Sequence, residues 1–151
     1  MDIIKRALIT LVSSGFLFVA GNALAQETPT AAPAGVRLVE AKAVQDLQAK
    51  GAVLIDSRKA AEFAEATIKG AISVPYDPEK SAKDVNFDAA QDKYDMGKIA
   101  DKNKDYVVFC NSGTCWKSYK AAVMMAKAGY KNVHWYRNGV PDWKARKLPM
   151  E

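Results

Sequence analysis

Short, continuous apolar runs alternate with amphipathic stretches along this chain. The two clearest runs are residues 52–55 (Ala-Val-Leu-Ile) and 106–109 (Tyr-Val-Val-Phe), and residues 72–74 and 133–135 are weaker candidates. Each clear run is β-rich and is followed by polar or turn residues, which is typical of strands in a parallel sheet covered on both faces. The runs therefore predict buried parallel strands.

Helical patterns lie between the strand candidates. Residues 40–50 form one pattern and residues 116–128 form another, in which four positions follow helical spacing: Tyr119, Ala122, Val123 and Ala126. Gly129 stands where the C-terminal cap of that helix belongs. Because strands and helices alternate, we predict an α/β fold with a mainly parallel sheet. The polar and charged residues 77–104 are expected to form a long loop with one surface helix.

The first residues have the features of a targeting segment. Lys5 and Arg6 give a basic start, residues 7–20 are mostly apolar but too short to span a bilayer comfortably, and residues 23–25 form an A-x-A cleavage signal. We expect residues 1–25 to be a cleaved signal peptide, which leaves a mature chain without membrane contact; an uncleaved anchor is the alternative. Export would place the chain in the periplasm or outside the cell, where two cysteines cannot be assumed to stay reduced.

The rest of the chain is predicted to be one domain behind a short tether. Residues 26–35 are rich in Pro, Ala and Thr without apolar periodicity, which predicts a disordered tether. Residues 36–151 then suffice for one domain with one core. The full chain carries a net charge of +5, and loss of residues 1–25, with two basic residues and one acidic residue, leaves +4. This excess is spread along the chain without a basic patch, so we expect no nucleic-acid partner.

The only two cysteines, Cys110 and Cys115, lie five residues apart, just after the second clear strand. In open α/β sheets, ligands bind beyond the carboxyl ends of the strands, where loops lead into helix N-termini. Backbone N–H groups can converge there, assisted by the positive end of a helix that begins near Lys117 or Ser118. We therefore expect a stabilised, nucleophilic Cys110 thiolate at an anion-binding loop. That loop comprises Asn111, Ser112, Gly113, Thr114, Cys115, Trp116, Lys117 and Ser118.

Other interpretations of the two cysteines stay open at this point. Cys110 could be a buried thiol that packs as a small apolar side chain. Cys115 could be a structural disulfide partner, a resolving thiol or an incidental loop residue. A metal site is not expected, because His134 is the only histidine and no cluster of Cys, His and carboxylates completes a tetrahedral site. A Cys–His dyad likewise has little support, so activation of the thiolate must come from the helix dipole and the backbone.

Two charged residues follow the first clear strand and should lie on the same edge of the sheet as Cys110. They are Asp56 and Arg58, which either support the active-site region or form a local turn and an ion pair with Glu62. Lys117 either supplies positive charge to an anionic ligand or is solvated. Trp116 is expected to cover the loop.

Three separated segments resemble the rhodanese-like domain family, over about residues 36–149. Residues 53–76 (VLIDSRKAAEFAEATIKGAISVPY) resemble the family's first signature, residues 107–122 (VVFCNSGTCWKSYKAA) its strand, active-site cysteine loop and helix, and residues 128–150 its closing strand, glycine turn and final W-x-x-x-x-L-P. The resemblance implies a five-stranded, mainly parallel sheet with helices on both faces. It also implies that Cys110 accepts sulfane sulfur from a donor such as thiosulfate, forms a persulfide and passes the sulfur to a thiophilic acceptor.

The loop departs from the family's usual Cys-x-x-Gly-x-Arg-Ser. It is two residues longer, and Lys117-Ser118 stands where Arg-Ser is usual. A longer loop resembles that of the superfamily's dual-specificity cell-cycle phosphatases and arsenate reductases, but the arginine of their Cys-x5-Arg pattern is Trp116 here. Because this position offers no guanidinium for bidentate phosphate contact, sulfur transfer is favoured over both activities. The Cys115-Trp116 pair also resembles an exported subgroup found with quinoprotein-dependent catabolism.

These features predict a periplasmic or secreted sulfurtransferase of the thiosulfate type that uses no cofactor. Its partners would be a small anionic sulfur donor and a thiol, cyanide or protein-cysteine acceptor. Cys110 and Cys115 are predicted to form a disulfide that gates the activity, since five residues can bring their Cα atoms within the roughly 4.4 to 6.8 Å that a disulfide needs. A periplasmic thiol reductant would then be a further partner. The alternative is a non-catalytic sulfur carrier or partner-binding module with a redox-active cysteine pair.

Overall fold

The computed structural model describes residues 26–77, 86 and 92–151. The expected signal peptide, and residues 78–85 and 87–91 of the expected loop, lie outside these ranges. The strands are β1 (Val36–Leu38), β2 (Val53–Asp56), β3 (Ile72–Ser73), β4 (Tyr76–Asp77), β5 (Lys93–Tyr94), β6 (Asp105–Phe109) and β7 (Asn132–Tyr136). The helices are α1 (Ala41–Ala49), α2 (Ala60–Glu65), α3 (Trp116–Lys127) and α4 (Gly139–Ala145), and a 3-10 helix spans Met96–Ile99.

Five strands form a single sheet in the order β1-β7-β6-β2-β3, and every neighbouring pair in it is parallel. The predicted α/β fold with a five-stranded sheet is confirmed. The two clear apolar runs become β2 and β6, which lie side by side inside the sheet. In the described part of the expected 77–104 loop, β5 pairs with β4 in a separate antiparallel ladder, and the 3-10 helix buries Ile99.

Alternate residues of the inner strands face two different apolar clusters. Val108 of β6 packs in a cluster with Ala122 and Met125 of α3. Its neighbours Val107 and Phe109 pack in a second cluster that contains residues of α1 and α4. Because helices cover the sheet on both faces, each inner strand is apolar at consecutive positions rather than at every second one.

Helix α3 carries the residues that follow the cysteine loop and is bounded at both ends. Cys115 is its N-cap residue. At the other end Gly129 adopts φ +89°, and the N–H of Tyr130 donates to the carbonyl oxygen of Met125, which confirms the predicted C-terminal cap. Of the helices in the described ranges, none combines the length and apolar character needed to cross a membrane.

Candidate active site

Cys110 is the first residue after β6, and its backbone is held from two neighbouring elements. The N–H of Val140 in α4 donates to the Cys110 carbonyl oxygen at 3.0 Å. The N–H of Ser57, after β2, donates to the Phe109 carbonyl oxygen at 3.0 Å. Gly139 makes the first contact possible, because it has φ +60° and a Cβ at that position would lie 2.1 Å from the Cys110 oxygen. The cysteine therefore stands at a fixed point on the carboxyl edge of the sheet.

The predicted disulfide is present in the structure. Cys110 and Cys115 are joined, with their Cα atoms 6.3 Å apart. Cys115 is also the N-cap of α3, so the bond ties the end of β6 to the start of the helix. The Cys110 sulfur in this form is a disulfide sulfur, and its surroundings are those that the thiolate or persulfide sulfur would meet at the same place.

Ser118, in the first turn of α3, contacts the Cys110 sulfur with two polar groups. Its Oγ lies 3.0 Å from Cys110 Sγ, and its backbone N–H donates to the same sulfur at 3.5 Å. Trp135 Nε1 lies 3.0 Å from Ser118 Oγ and can only donate, so the serine oxygen is the acceptor of that bond. Because a disulfide sulfur carries no hydrogen, the Ser118 hydroxyl is the donor in its contact with Cys110 Sγ. Two donors at a helix N-terminus face the position where negative charge would develop on Cys110.

The intervening loop is bonded within itself in the disulfide form. The N–H of Cys115 donates to the Ser112 carbonyl oxygen at 3.0 Å, and the N–H of Thr114 donates to Ser112 Oγ at 3.4 Å. The sequence predicted that these loop N–H groups converge on an anion. The N–H groups of Thr114 and Cys115 instead close a turn on Ser112, and the Ser118 N–H is directed at the sulfur.

Asn111 donates a hydrogen bond to a carboxylate of α2, and Lys117 acts on the same carboxylate through its charge. Asn111 Nδ2 donates to Glu62 Oε1 at 2.8 Å, and the Lys59 N–H donates to Glu62 Oε2 at 3.3 Å. Burial alone would raise the pKa of Glu62, but these hydrogen bonds and the charges of Arg58 and Lys117 hold that pKa below its ordinary value. Glu62 therefore stays ionised and anchors the start of the loop.

Asp56 and Arg58 form a buried ion pair with each other. Arg58 Nε and NH2 donate to the Asp56 carboxylate at 3.0 and 2.7 Å, and Thr67 Oγ1 donates to it at 2.8 Å. Arg58 NH2 also donates to the Ala66 carbonyl oxygen at 2.6 Å. The carboxylate partner of Arg58 is thus Asp56, where the sequence suggested Glu62. These bonds join the end of β2 to the segment before β3, so the pair supports the edge of the sheet that carries Cys110.

Residues 26–30, which we call the N-terminal strap, lie across the loop. Composition predicts disorder there, but Thr28 is buried, and its N–H and hydroxyl both donate to the Gly113 carbonyl oxygen, at 2.7 and 2.6 Å. Trp116, expected to cover the loop, is itself buried and donates through Nε1 to the Gln26 carbonyl oxygen at 2.8 Å. Arg137 completes the contact, because it donates to strap oxygens. Sequence reasoning gave no site role to Thr28, Trp135 or Arg137, because each meets the site through a long-range contact. Trp135 and Arg137 do lie in a segment, residues 135–139 (WYRNG), that resembles the exported subgroup.

No metal centre is evident in the described part of the chain, where His, Cys, Asp and Glu side chains do not gather in groups of three or more that could hold an ion.

Comparison with known proteins gives one family and several solved structures. A family model described as "Rhodanese-like domain" matches residues 40–146. A rhodanese-like domain from Anabaena sp is 20% identical with a TM-score of 0.56, covering 76% of this chain and 77% of that one. A Lactobacillus plantarum protein is 27% identical with a TM-score of 0.54, covering 76% and 86%. A thiosulfate sulfurtransferase from Pseudomonas aeruginosa is 23% identical with a TM-score of 0.53, covering 77% of this chain but 20% of that one. No curated protein sequence matches the chain.

Proposed function

The chain belongs to the rhodanese-like domain family, and from this premise we propose that it is an exported sulfurtransferase of the thiosulfate type. One observation carries the proposal. The Cys110 sulfur lies where β6 meets the N-terminus of α3, with the Ser118 hydroxyl at 3.0 Å and the Ser118 N–H at 3.5 Å. Donors in this arrangement favour a thiolate and, after sulfur transfer, an anionic persulfide.

The reaction proceeds through two sulfur transfers. The reduced Cys110 thiolate attacks the outer sulfur of thiosulfate, a new S–S bond forms, and the sulfur–sulfur bond of the donor breaks to release sulfite. An acceptor thiolate or cyanide then attacks the outer sulfur of the Cys110 persulfide, takes that sulfur and restores the thiolate. No proton source is required in either step, which suits a site whose activating groups are a helix N-terminus and a serine hydroxyl.

We further propose that the protein works in an oxidising compartment and that a thiol reductant activates it. The basic, apolar and A-x-A features of residues 1–25 support export to the periplasm. The disulfide between Cys110 and Cys115 withholds the nucleophile until a periplasmic thiol reductant opens it. The Cys115-Trp116 pair supports placement in the exported subgroup that is found with quinoprotein-dependent catabolism.

Mass spectrometry of the reduced protein after exposure to thiosulfate tests the proposal. We expect an adduct of about 32 Da, one sulfur atom, on Cys110, and its loss when cyanide is added. The Cys110→Ser variant should carry no adduct, whereas Cys115→Ser should carry it. An adduct that is absent from Cys115→Ser across a panel of sulfane donors would reject the enzyme, because this variant has no second thiol that could displace the bound sulfur.

A second function is favoured by the disulfide itself. Because the bond occupies Cys110, the same geometry suits a sulfur carrier or partner-binding module whose cysteine pair responds to redox state. Such a module would take up sulfur on Cys110 only from a protein donor and would show no turnover with thiosulfate and cyanide. A steady-state rate with these two small molecules decides for the enzyme.

A further inference from the structure

Arg137 brings a guanidinium onto the active-site loop from a different element. It is the first residue after β7, in the turn that leads to α4, and Val140 of that helix is bonded to the Cys110 carbonyl oxygen. A Cβ built on Gly113 would lie 2.7 Å from Arg137 Cζ and 2.8 Å from each terminal nitrogen. The guanidinium therefore rests on the middle of the loop, at a position where no side chain intervenes.

The N-terminal strap holds this guanidinium in place. Arg137 Nε donates to Thr28 Oγ1 and to the Pro29 carbonyl oxygen at 3.1 Å each, and NH2 donates to the Thr28 carbonyl oxygen at 3.0 Å. Thr28 is 2% exposed, and its hydroxyl donates onward to the Gly113 carbonyl oxygen. Neutral oxygens of the strap thus orient the guanidinium without neutralising its charge.

A carboxylate provides the countercharge. Arg137 NH2 also pairs with Glu27 Oε2 at 3.3 Å, and the Glu27 side chain is 73% exposed against 18% for Arg137. A carboxylate so exposed gains little from one long ion pair, because water and salt compete for both partners. Glu27 is therefore a counterion that another anion can replace, whereas the Arg137 guanidinium is held in place by the strap oxygens.

We propose that Arg137 binds the oxyanion end of a small sulfur donor, and that Glu27 occupies this place when no donor is bound. This inference rests on the proposed function and deepens it. A guanidinium stays protonated and offers paired donors that match a tetrahedral oxyanion. The loop itself carries Trp116 where a Cys-x5-Arg loop has its arginine. Arg137 supplies the missing group from the turn between β7 and α4.

Anion binding without turnover tests the site. In a Cys110→Ser/Cys115→Ser background, which has neither nucleophile nor disulfide, thiosulfate and sulfite are titrated by isothermal calorimetry at fixed ionic strength. Arg137→Gln should weaken binding by about tenfold or more, as expected for loss of a charge-assisted contact. Glu27→Gln should tighten binding about two- to fivefold, because a competing exposed carboxylate is removed. Arg146→Gln, at the end of α4, is the control for loss of one positive charge and should leave the affinity unchanged.

The possible results separate this inference from the proposed function. Equal affinities for Arg137→Gln and Arg146→Gln would overturn the site, and unchanged or weaker binding in Glu27→Gln, which keeps Arg137, would overturn the role of Glu27. Inorganic phosphate is titrated in the same way, and tighter binding of phosphate than of thiosulfate would overturn the assignment to a sulfur donor. Binding that depends on Arg137, in a parent protein that forms no persulfide, would retain the site and reject the sulfurtransferase. Thermal melting of each variant verifies that it is folded.

Discussion

Ser118 connects the reactive sulfur to the core of the domain. Its Oγ accepts from Trp135 Nε1, and Trp135 is fully buried in the cluster beneath α3. A buried indole has little freedom to turn, so the serine oxygen is held and its hydrogen is directed at Cys110. The packing of Trp135 therefore sets the direction of the Ser118 hydroxyl at the sulfur. Substituting Ser118 removes this donor, whereas substituting Trp135 removes only the group that orients it.

Removing the Ser118 hydroxyl should make the reduced Cys110 less reactive. In a Cys115→Ser background, Ser118→Ala should slow alkylation by iodoacetamide near neutral pH about tenfold, since hydrogen bonds to charged groups contribute about 1.5 to 3 kcal/mol. The midpoint of the pH–rate profile should move upward. Trp135→Phe should give a smaller shift in the same direction, because the hydroxyl remains but loses its orienting donor.

Trp143→Phe is the matched control for the tryptophan. Trp143 is equally buried and donates through Nε1 to the Pro149 carbonyl oxygen, in the cluster on the other face of the sheet. It should lower the free energy of unfolding as Trp135→Phe does while leaving the alkylation profile unchanged. A profile that moves equally in both tryptophan variants would assign the effect to general loosening of the core.

At the scale of elements, the turn from β7 to α4 depends on a glycine. Gly139 combines φ +60° with a Cβ position 2.1 Å from a backbone oxygen, whereas Gly129, with φ +89°, has open space around it. Gly129→Ala should cost about 1 kcal/mol of unfolding free energy, from backbone strain alone. Gly139→Ala should cost at least about 2 kcal/mol, because a backbone contact must also be broken. Urea unfolding of both variants measures the difference, and equal costs would contradict this account.

The contact between α2 and the loop should appear in the dependence of stability on pH. Because the pKa of Glu62 is lower in the folded chain, its carboxylate contributes stability that is present above its ordinary value of 4.5 and is lost as the pH falls through the folded value. The difference in unfolding free energy between wild type and Glu62→Gln should therefore shrink between about pH 6 and pH 3. Glu65→Gln, exposed on the same helix, is the control for removal of one carboxylate from α2. A difference that is constant with pH would argue against an ionised anchor.

Local sequence patterns predicted the inner elements of this fold and missed what meets them from a distance. The runs at 52–55 and 106–109 became β2 and β6 because an inner strand needs apolar side chains on both faces, a demand that is visible in consecutive residues. β1 is a three-residue strand at the edge of the sheet, and its Leu38 is exposed. Such a strand does not need apolar side chains on both faces. The position of the cysteine loop could be predicted as well, because the loop directly follows the apolar run that forms β6. The strap was not, because a single buried threonine and backbone carbonyl groups leave no periodic signal.

At the scale of the whole molecule, the loop joins parts of the chain that are distant in sequence. The match to the family model begins at residue 40, so the strap lies outside it. Thr28 nevertheless bonds to Gly113, 85 residues away, and Arg137 to Thr28, 109 residues away. A change of loop conformation that moves the Gly113 carbonyl oxygen therefore also disturbs its hydrogen bonds to the strap. A group that favours one conformation of the loop shifts the population toward the strap position that goes with it.

The disulfide is better explained as a control of chemistry than as a source of stability. Closing a segment between cysteines five residues apart removes only about 2 kcal/mol of unfolded-state entropy. The bond does, however, take Cys110 out of reaction completely. Alternatively, Cys115 attacks the Cys110 persulfide, forms the same disulfide and releases sulfide, in which case a reductant is consumed in each cycle.

This control predicts how activity responds to reductant. Oxidised wild type should be inactive with thiosulfate and cyanide and should gain full activity with a thiol reductant, because opening the disulfide frees Cys110. Cys115→Ser should be active and insensitive to reductant, since it has no partner with which to form the bond. Thiol counting before each assay should find no free thiols in oxidised wild type and two after reduction. If the oxidised wild type has two free thiols, and wild type and Cys115→Ser have equal rates with and without reductant, then Cys115 has no redox role. If each turnover instead consumes one equivalent of reductant and releases sulfide in wild type alone, Cys115 is a resolving thiol, because a gate that opens once needs no further electrons.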